Sequence, residues 1–148
     1  MEMTLENMAI ISFLWRNDCH FLHHNVRGLS FGEVHEKFGE YYDKALDDAD
    51  YFAEHAIMKE IDAMINFSDI YEMPVFKQWT PITAKQIGSE AEIDEAFDVF
   101  INNGNDYLDA LDMCREYCED EGWNDIVSDI DSIRAFWAVE IEYKATKY

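Results

Sequence analysis

The sequence predicts an all-α fold in which four long helices form a bundle and a long crossover joins the second helix to the third. Apolar residues recur at steps of three and four along four stretches of the chain, as on the buried face of a helix. The 148 residues include two prolines and six glycines, which suits long helices better than a sheet. Both prolines fall in residues 66–88, a connection too long for a tight turn. At this length we expect one domain, residues 1–148.

The first helix is predicted over residues 3–24. Its buried stripe comprises Met8, Ile11, Leu14, Trp15, Leu22 and Val26. Its end carries three histidines, which suit the negative pole of a helix. They are His20, His23 and His24.

The second helix is predicted over about residues 31–65, after a turn that ends at Gly28. Ser30 is the expected N-cap, and Glu33 completes the capping box. The apolar stripe comprises Val34, Phe38, Tyr41, Tyr42, Ala45, Ala49, Phe52 and Ala56. Asp47 and Asp48 are expected to be solvated or to line an access path for a cation.

The crossover, residues 66–88, contains a predicted short helix over residues 82–87. Phe76 and Trp79 are expected to be packing residues. The third helix is predicted to begin at Ser89 and to end near the acidic run before Gly122. Its stripe comprises Ile93, Phe97, Phe100, Ile101, Leu108, Leu111 and Cys114.

Asn103 and Gly104 lie in the middle of the third helix and predict a bend there, with a break into two helices as the alternative. The fourth helix is predicted to begin near Asn124, with that residue as its cap. Its inward face comprises Ile126, Val127, Ile130, Ile133, Trp137 and Ile141.

The formal net charge is −21, from 32 acidic and 11 basic residues. A charge of this sign disfavours nucleic acid and anionic membranes as partners and favours cations. We expect most of the carboxylates to lie on solvated helix faces.

Cys19, Cys114 and Cys118 form no disulfide framework or C-x-x-C metal pattern, so we interpret them as core thiols of a reducing compartment. The N-terminus lacks the basic start of a signal peptide. The apolar stretch over residues 8–15 is too short to span a bilayer. These features predict a soluble, cytoplasmic protein with no membrane partner.

Asp50 and Glu54 are four residues apart and therefore share one face of the second helix. His35 precedes Asp50 by 15 residues, which is about 22 Å along a helix axis. Metal–ligand bonds are about 2 Å long, so these groups of one chain cannot bind the same ion. If all are ligands, the site lies between two chains. A two-fold dimer with antiparallel helices would then contain two identical sites.

The stretch around these residues resembles the Dps proteins, the small ferritin-like iron proteins of bacteria. The shared pattern is H-x-N-V-x-G-x-x-F-x-x-x-H, followed by an aspartate 15 residues later and then by A-E. Its residues are His23, Asn25, Val26, Arg27, Gly28, Phe31, His35, Asp50, Ala53 and Glu54. The resemblance implies a ferroxidase site shared by two subunits, with His23 and His35 from one chain and Asp50 and Glu54 from the other.

Two positions depart from the family pattern. The family has an aspartate one turn after the second histidine, where this chain has Gly39, and glycine inside a helix costs about 1 kcal/mol relative to alanine. The family's tryptophan after the first histidine is His24 here. Three interpretations of the site follow: it binds iron weakly, it is a relic, or it recruits another acid. The candidate acids are Glu36, Glu40 and Asp43.

The resemblance implies a ferritin-like bundle that binds Fe(II), oxidises it with hydrogen peroxide or oxygen, and stores ferric iron in a homo-oligomeric shell, typically of twelve subunits. The sequence contains no Glu-x-x-His, which argues against a di-iron site inside one chain. Carboxylates with imidazole suit iron, while zinc and manganese remain open as the bound metal. In that family the short helix of the crossover helps to form the dimer interface.

No DNA binding is expected, because no lysine or arginine precedes Arg16 and the chain is strongly acidic. The alternative function, of another class, is a ferritin-like module without ferroxidase activity. Such an acidic bundle would mimic nucleic acid toward a basic protein partner, and Gly39 together with His24 motivates this alternative.

Overall fold

The computed structural model describes residues 2–26, 31–60, 63, 65–83 and 90–144. The four long helices are α1 (Leu5–Asn25), α2 (Phe31–Lys59), α3 (Glu90–Asp120) and α4 (Asn124–Ala138). A π-helical segment, Val139–Lys144, continues α4, and the crossover contains two 3₁₀ helices, Phe67–Glu72 and Pro74–Gln78. Helix α1 packs along α2 and against α3, while α3 packs along α4. The predicted all-α bundle with a long crossover is confirmed.

The predicted apolar stripes face the interior. Nearly all of their members are buried, and the exceptions, which are half-buried, are Tyr42, Ile101 and Val127. Trp15 lies at the centre of an aromatic core, with ring centroids 5.2 Å from Phe100, 5.7 Å from Tyr107 and 5.5 Å from Trp137. Aromatic pairs at these separations contribute about 0.5–1.5 kcal/mol each beyond their buried area.

The observed ends of α1 and α2 differ from the predicted ones. Helix α1 begins at Leu5, and the side chain of Thr4 caps it by accepting the N–H of Asn7 at 3.1 Å. Helix α2 ends at Lys59 rather than near residue 65. At the next position, the Glu60 carboxylate accepts the N–H of Leu5 at 3.1 Å, so the chain leaves the helix where it helps to cap α1. The expected cap Ser30 lies outside the described residues.

The second half of the bundle follows the prediction with one correction. Asn124 was expected to cap α4, but it is the first helical residue, and Trp123 occupies the cap position without a side-chain hydrogen bond. The predicted start of the third helix at Ser89 and most of the predicted short helix, residues 84–87, fall outside the described part. Within the described ranges, no helix is long and apolar enough to cross a membrane.

Helix α3 runs without a break through Gly104, so the alternative of two separate helices is wrong. A Cβ atom at Gly104 would lie 2.6 Å from Cδ1 and 2.8 Å from Cγ1 of Ile141. Real Cβ atoms do not approach other atoms so closely. Glycine at this position therefore allows the π-helical segment to pack directly on α3.

A buried carboxylate connects the crossover to the bundle. Asp18 of α1 accepts hydrogen bonds from Trp79 Nε1 at 2.8 Å, the N–H of Ile82 at 2.9 Å and Asn103 Nδ2 at 3.0 Å. Burial raises the pKa of Asp18 from 3.8 to about 6, while these three hydrogen bonds oppose that shift. Trp79 is buried and Phe76 is half-buried against the core, as expected of packing residues.

A second buried carboxylate corrects the prediction that Asp48 is solvated. Only 1% of Asp48 is exposed, and it accepts hydrogen bonds from Tyr107 Oη at 2.9 Å and Trp137 Nε1 at 2.7 Å. Lys44 forms an ion pair with it, and Ser12 donates to Tyr107 Oη at 2.8 Å. Asp48 follows a buried alanine by three residues and precedes a buried phenylalanine by four, so it lies on the inner face of α2. Asp47 is exposed, as predicted.

The three cysteines are buried and have free thiols, in agreement with their predicted role in the core. Burial is the main cause that raises the pKa of the Cys19 thiol, which keeps this group protonated.

Candidate metal centre

The candidate site begins where the end of α1 meets the second turn of α2. His23 Nδ1 lies 2.7 Å from the backbone oxygen of His35, and His35 Nδ1 lies 2.8 Å from the backbone oxygen of His23. The two rings stack, with centroids 3.7 Å apart and planes inclined by 26°. The reciprocal pair of hydrogen bonds fixes both rings relative to both helices.

These hydrogen bonds also determine which nitrogen of each ring carries the proton. A carbonyl oxygen only accepts, so Nδ1 of each histidine must be the donor. In the neutral ring, Nε2 of each histidine therefore carries the lone pair. Metal-binding imidazoles are commonly held by a bond from the other ring nitrogen to a backbone oxygen. His23 and His35 thus have the tautomer and the support that metal ligands need.

The two rings line a surface pocket of about 530 Å³. The pocket is lined by His23, Gly32, His35, Glu36, Gly39, Glu40 and Asp43. All three acids that the sequence offered as replacements for the missing aspartate therefore share one pocket with the histidines. Imidazole nitrogens and carboxylate oxygens are the ligand types that suit divalent first-row metals, although among the described residues no three of them are grouped closely enough to bind one ion.

Gly39 lies directly beneath the ring of His23. A Cβ atom at this position would approach His23 Cε1 to 3.0 Å and Nδ1 to 3.1 Å, which is closer than most real contacts of a Cβ atom. Here the imidazole occupies the space above the helix that a side chain at position 39 would enter. Glycine is therefore compatible with this ring position, and a larger residue would have to displace the ring.

Asp50 and Glu54 are both exposed and lie toward the other end of α2. Because α2 is one unbroken helix, Asp50 is about 22 Å along the axis from His35. Among the residues that the structure describes, no three His, Cys, Asp or Glu side chains form a group able to bind a metal ion. Within one chain, the structure brings His23 and His35 together and leaves Asp50 and Glu54 apart from them.

A continuous row of exposed carboxylates joins the two halves of the candidate site. They occur at alternating steps of three and four on α2 and comprise Glu33, Glu36, Glu40, Asp43, Asp47, Asp50 and Glu54. We call this row the acidic stripe. Like charges at these spacings repel one another, so cations stabilise the stripe. The alternating spacing of these acids is visible in the sequence. The pattern shared with the Dps proteins includes only the last two of them, Asp50 and Glu54.

The other two histidines of α1 form a pair of their own. Nε2 of His20 lies 2.6 Å from Nε2 of His24, and the ring of His20 stacks on Tyr42 with a centroid distance of 4.5 Å. Arg16 donates a hydrogen bond to the hydroxyl of Tyr42 at 2.9 Å. Burial is the largest cause that lowers the pKa of His20, followed by the neighbouring charges of His24, Arg16 and His23. The three helix-end histidines therefore separate: His20 pairs with His24, whereas His23 pairs with His35 of α2.

No protein-family model and no curated protein matches the sequence. Among solved structures, the chain is similar to Helicobacter cinaedi CAIP, with a TM-score of 0.81 and 15% identity over 97% of this chain and 94% of that one. It is also similar to a Dps protein from Vibrio cholerae, with a TM-score of 0.52 and 18% identity over 93% and 86% of the two chains. That protein is described as a member of a broad superfamily of ferritin-like diiron-carboxylate proteins. At these identities the likeness establishes the fold, and the chain is an all-α, ferritin-like bundle, as predicted.

Proposed function

We propose that this chain is a Dps-like iron-binding protein and ferroxidase. It binds Fe(II) at sites between two subunits, oxidises it with hydrogen peroxide or oxygen, and stores the ferric product inside a homo-oligomeric shell. The observation that carries the proposal is the pair His23 and His35. Each ring is held through Nδ1 by the backbone of the other residue, in a pocket that contains three carboxylates.

In the proposed site, His23 and His35 of one chain bind the ion together with Asp50 and Glu54 of the partner subunit. A two-fold dimer with antiparallel α2 helices gives both sites at once. Ile57 and Met58 follow Glu54 on α2 and are 61% and 71% exposed. These apolar side chains lie beside the carboxylates, where a partner subunit would cover them.

Fe(II) is the substrate of the proposed reaction. Two ferrous ions supply the two electrons that reduce one hydrogen peroxide to two waters, and two protons are consumed. The chain's own contribution is to hold the ion: imidazole nitrogens bind it without added charge, while the carboxylates neutralise its positive charge. The oxygen ligand that Gly39 lacks would come from Glu36, Glu40 or Asp43, each of which lines the pocket.

The acidic stripe supplies the attraction for cations at the proposed interface. Two stripes that face one another across a two-fold axis repel unless cations lie between them. Binding of Fe(II) therefore stabilises the dimer, and the dimers assemble into the shell, with twelve subunits as the expected number. Zinc and manganese are the alternative cations for the same ligands.

The test is an anaerobic Fe(II) titration of the purified assembly, followed by a pulse of hydrogen peroxide while ferric absorbance is recorded. We expect prompt oxidation, with a loss of at least about tenfold in rate for His35→Ala and for Glu54→Ala. Asp98→Ala, at an exposed carboxylate of α3, is the matched control and should oxidise iron at the wild-type rate. Oxidation no faster than in protein-free buffer would overturn the proposal. Parallel titrations with zinc and manganese identify the preferred metal.

The second candidate function is an acidic interaction module that binds a basic protein in place of nucleic acid. The acidic stripe favours it, because an exposed row of carboxylates on one helix complements a row of lysines or arginines. Absence of Fe(II) binding, together with salt-sensitive binding to a basic peptide such as polylysine, would favour this function. Iron binding that survives in excess of such a peptide would argue against it.

A further inference from the structure

His20 and His24 form a pair of imidazoles whose ring nitrogens converge on one point. They are four residues apart on α1 and therefore lie on the same face, one turn apart. Their Nε2 atoms are 2.6 Å apart, a distance at which two neutral rings must share one proton. Both nitrogens therefore point toward the same small volume at the protein surface.

A metal ion fits between these nitrogens after a small movement. Cu(II) prefers a tetragonal geometry, in which bonds of about 2.0 Å to two neighbouring imidazole nitrogens place these atoms about 2.8 Å apart. The pair must therefore open by about 0.2 Å relative to the observed 2.6 Å separation, or by about 0.7 Å for a tetrahedral ion. His24 is exposed, so rotation of its side chain can provide this movement. The shared hydrogen bond is then replaced by two metal–nitrogen bonds.

The other member of the pair is held in place. The ring of His20 stacks on Tyr42, and the guanidinium of Arg16 both bonds the tyrosine hydroxyl and lies 4.6 Å from the centre of its ring. One ligand is thus positioned by packing, while the other can adjust. Arg16 is also a nearby positive charge that opposes every cation at this position, so only an ion that binds imidazole strongly is expected there. Cu(II) forms the strongest complexes with nitrogen ligands among the first-row divalent ions.

We propose that His20 and His24 form a second metal site on each chain that binds Cu(II) or another imidazole-preferring divalent ion. In the described part of the chain no third ligand completes the set, so water fills the remaining positions. The site is separate from the proposed iron site, because His23 lies with its ring centroid 6.5 Å from His20 and 5.6 Å from His24 and bonds the backbone of His35 instead. The inference does not depend on the proposed ferroxidase function.

The test is a titration of the intact protein with one equivalent of Cu(II), recorded by electron paramagnetic resonance and repeated in competition with a chelator. We expect hyperfine lines from two ligand nitrogens. His24→Gln should reduce the nitrogen count and weaken binding by at least about tenfold, or about 1.4 kcal/mol. His20→Phe retains a ring against Tyr42 while it removes both nitrogens, and it should have the same effect.

Two control variants make the result unambiguous. His55→Gln alters a histidine of α2 whose Nδ1 bonds the backbone of Tyr51, and it should leave the Cu(II) signal unchanged. His35→Ala disrupts the proposed iron site and should retain the signal of the second site. Unchanged binding in both His24→Gln and His20→Phe would overturn the inference. A signal that is lost in His35→Ala and kept in His24→Gln would also overturn it, because the ion would then occupy the pocket of His23.

Discussion

Gly39 illustrates how one residue can be unfavourable for a helix and still suit a site. Alanine in place of glycine inside a helix is favourable by about 1 kcal/mol, but a Cβ atom here would press on His23 at 3.0 Å from Cε1. For Gly39→Ala we therefore expect a free energy of unfolding within about 1 kcal/mol of wild type, together with several-fold weaker Fe(II) binding. Chemical denaturation and the anaerobic titration measure the two quantities. Weaker stability with unchanged iron affinity would contradict this role of Gly39.

Asp18 is a second residue for which the environment determines the behaviour. Its pKa is raised to about 6 in the folded protein from an ordinary value of 3.8, mainly by burial. Between these values the folded chain binds a proton that the unfolded chain does not, so stability falls as the pH rises. The contribution of Asp18 is complete below pH 3.8 and is lost as the pH passes about 6.

This linkage predicts how Asp18→Asn compares with wild type. Asparagine does not titrate, so the variant lacks this pH dependence. The difference in free energy of unfolding, wild type minus variant, should therefore fall by about 2–3 kcal/mol between pH 4 and pH 7. Urea denaturation at several pH values gives the two curves. Parallel curves would show that Asp18 titrates alike in the folded and unfolded states.

At the scale of elements, local periodicity was enough to find the helices. The apolar stripes of α1 and α2 were predicted because a repeat of three and four residues is visible in a short window of sequence. The end of α2 was not predicted, since Glu60 leaves the helix to contact Leu5, which is far away in sequence. Local sequence does not reveal that Asp48 is buried, because its donors, Tyr107 and Trp137, come from two other helices.

Some features of the candidate site could likewise be predicted from local sequence, while others depend on how the helices meet. The spacing of His35 from Asp50 predicted that one chain cannot complete the site, and the single long helix α2 supports that argument. The reciprocal bonds between His23 and His35 could not be predicted, because they depend on how the end of α1 meets α2. The four-residue spacing of His20 and His24 predicts that they are neighbours on one face of α1. The sequence does not distinguish this pair from His20 and His23, because residues three apart on a helix are also neighbours.

The contact between α3 and the π-helical segment gives a prediction for these two elements. Gly104→Ala should destabilise the protein by about 1–3 kcal/mol, because the new methyl group overlaps Ile141. In an Ile141→Ala background the same change should cost less, since the overlapping atoms are absent. A double-mutant cycle by thermal or urea denaturation measures this coupling. Additive effects would show that the contact does not limit residue 104.

At the scale of the whole molecule, the net charge of −21 governs which partners can approach. Phosphate backbones are repelled by this charge, and cations are attracted. We expect no shift of duplex DNA in a gel at physiological salt, and binding to DNA under those conditions would contradict the expectation. Both candidate functions require an acidic surface that does not bind DNA.

The central claim is that two chains share each iron site, and mixed assemblies test it most directly. His35→Ala and Glu54→Ala are each expected to lose at least about nine-tenths of the oxidation rate when expressed alone. In a dimer that contains one chain of each kind, one site carries both changes and the other carries neither. Random mixing by co-expression should therefore restore peroxide-driven Fe(II) oxidation to about a quarter of the wild-type rate. Mixed assemblies no more active than either variant alone would show that the two chains do not complete a site together, and would contradict the account.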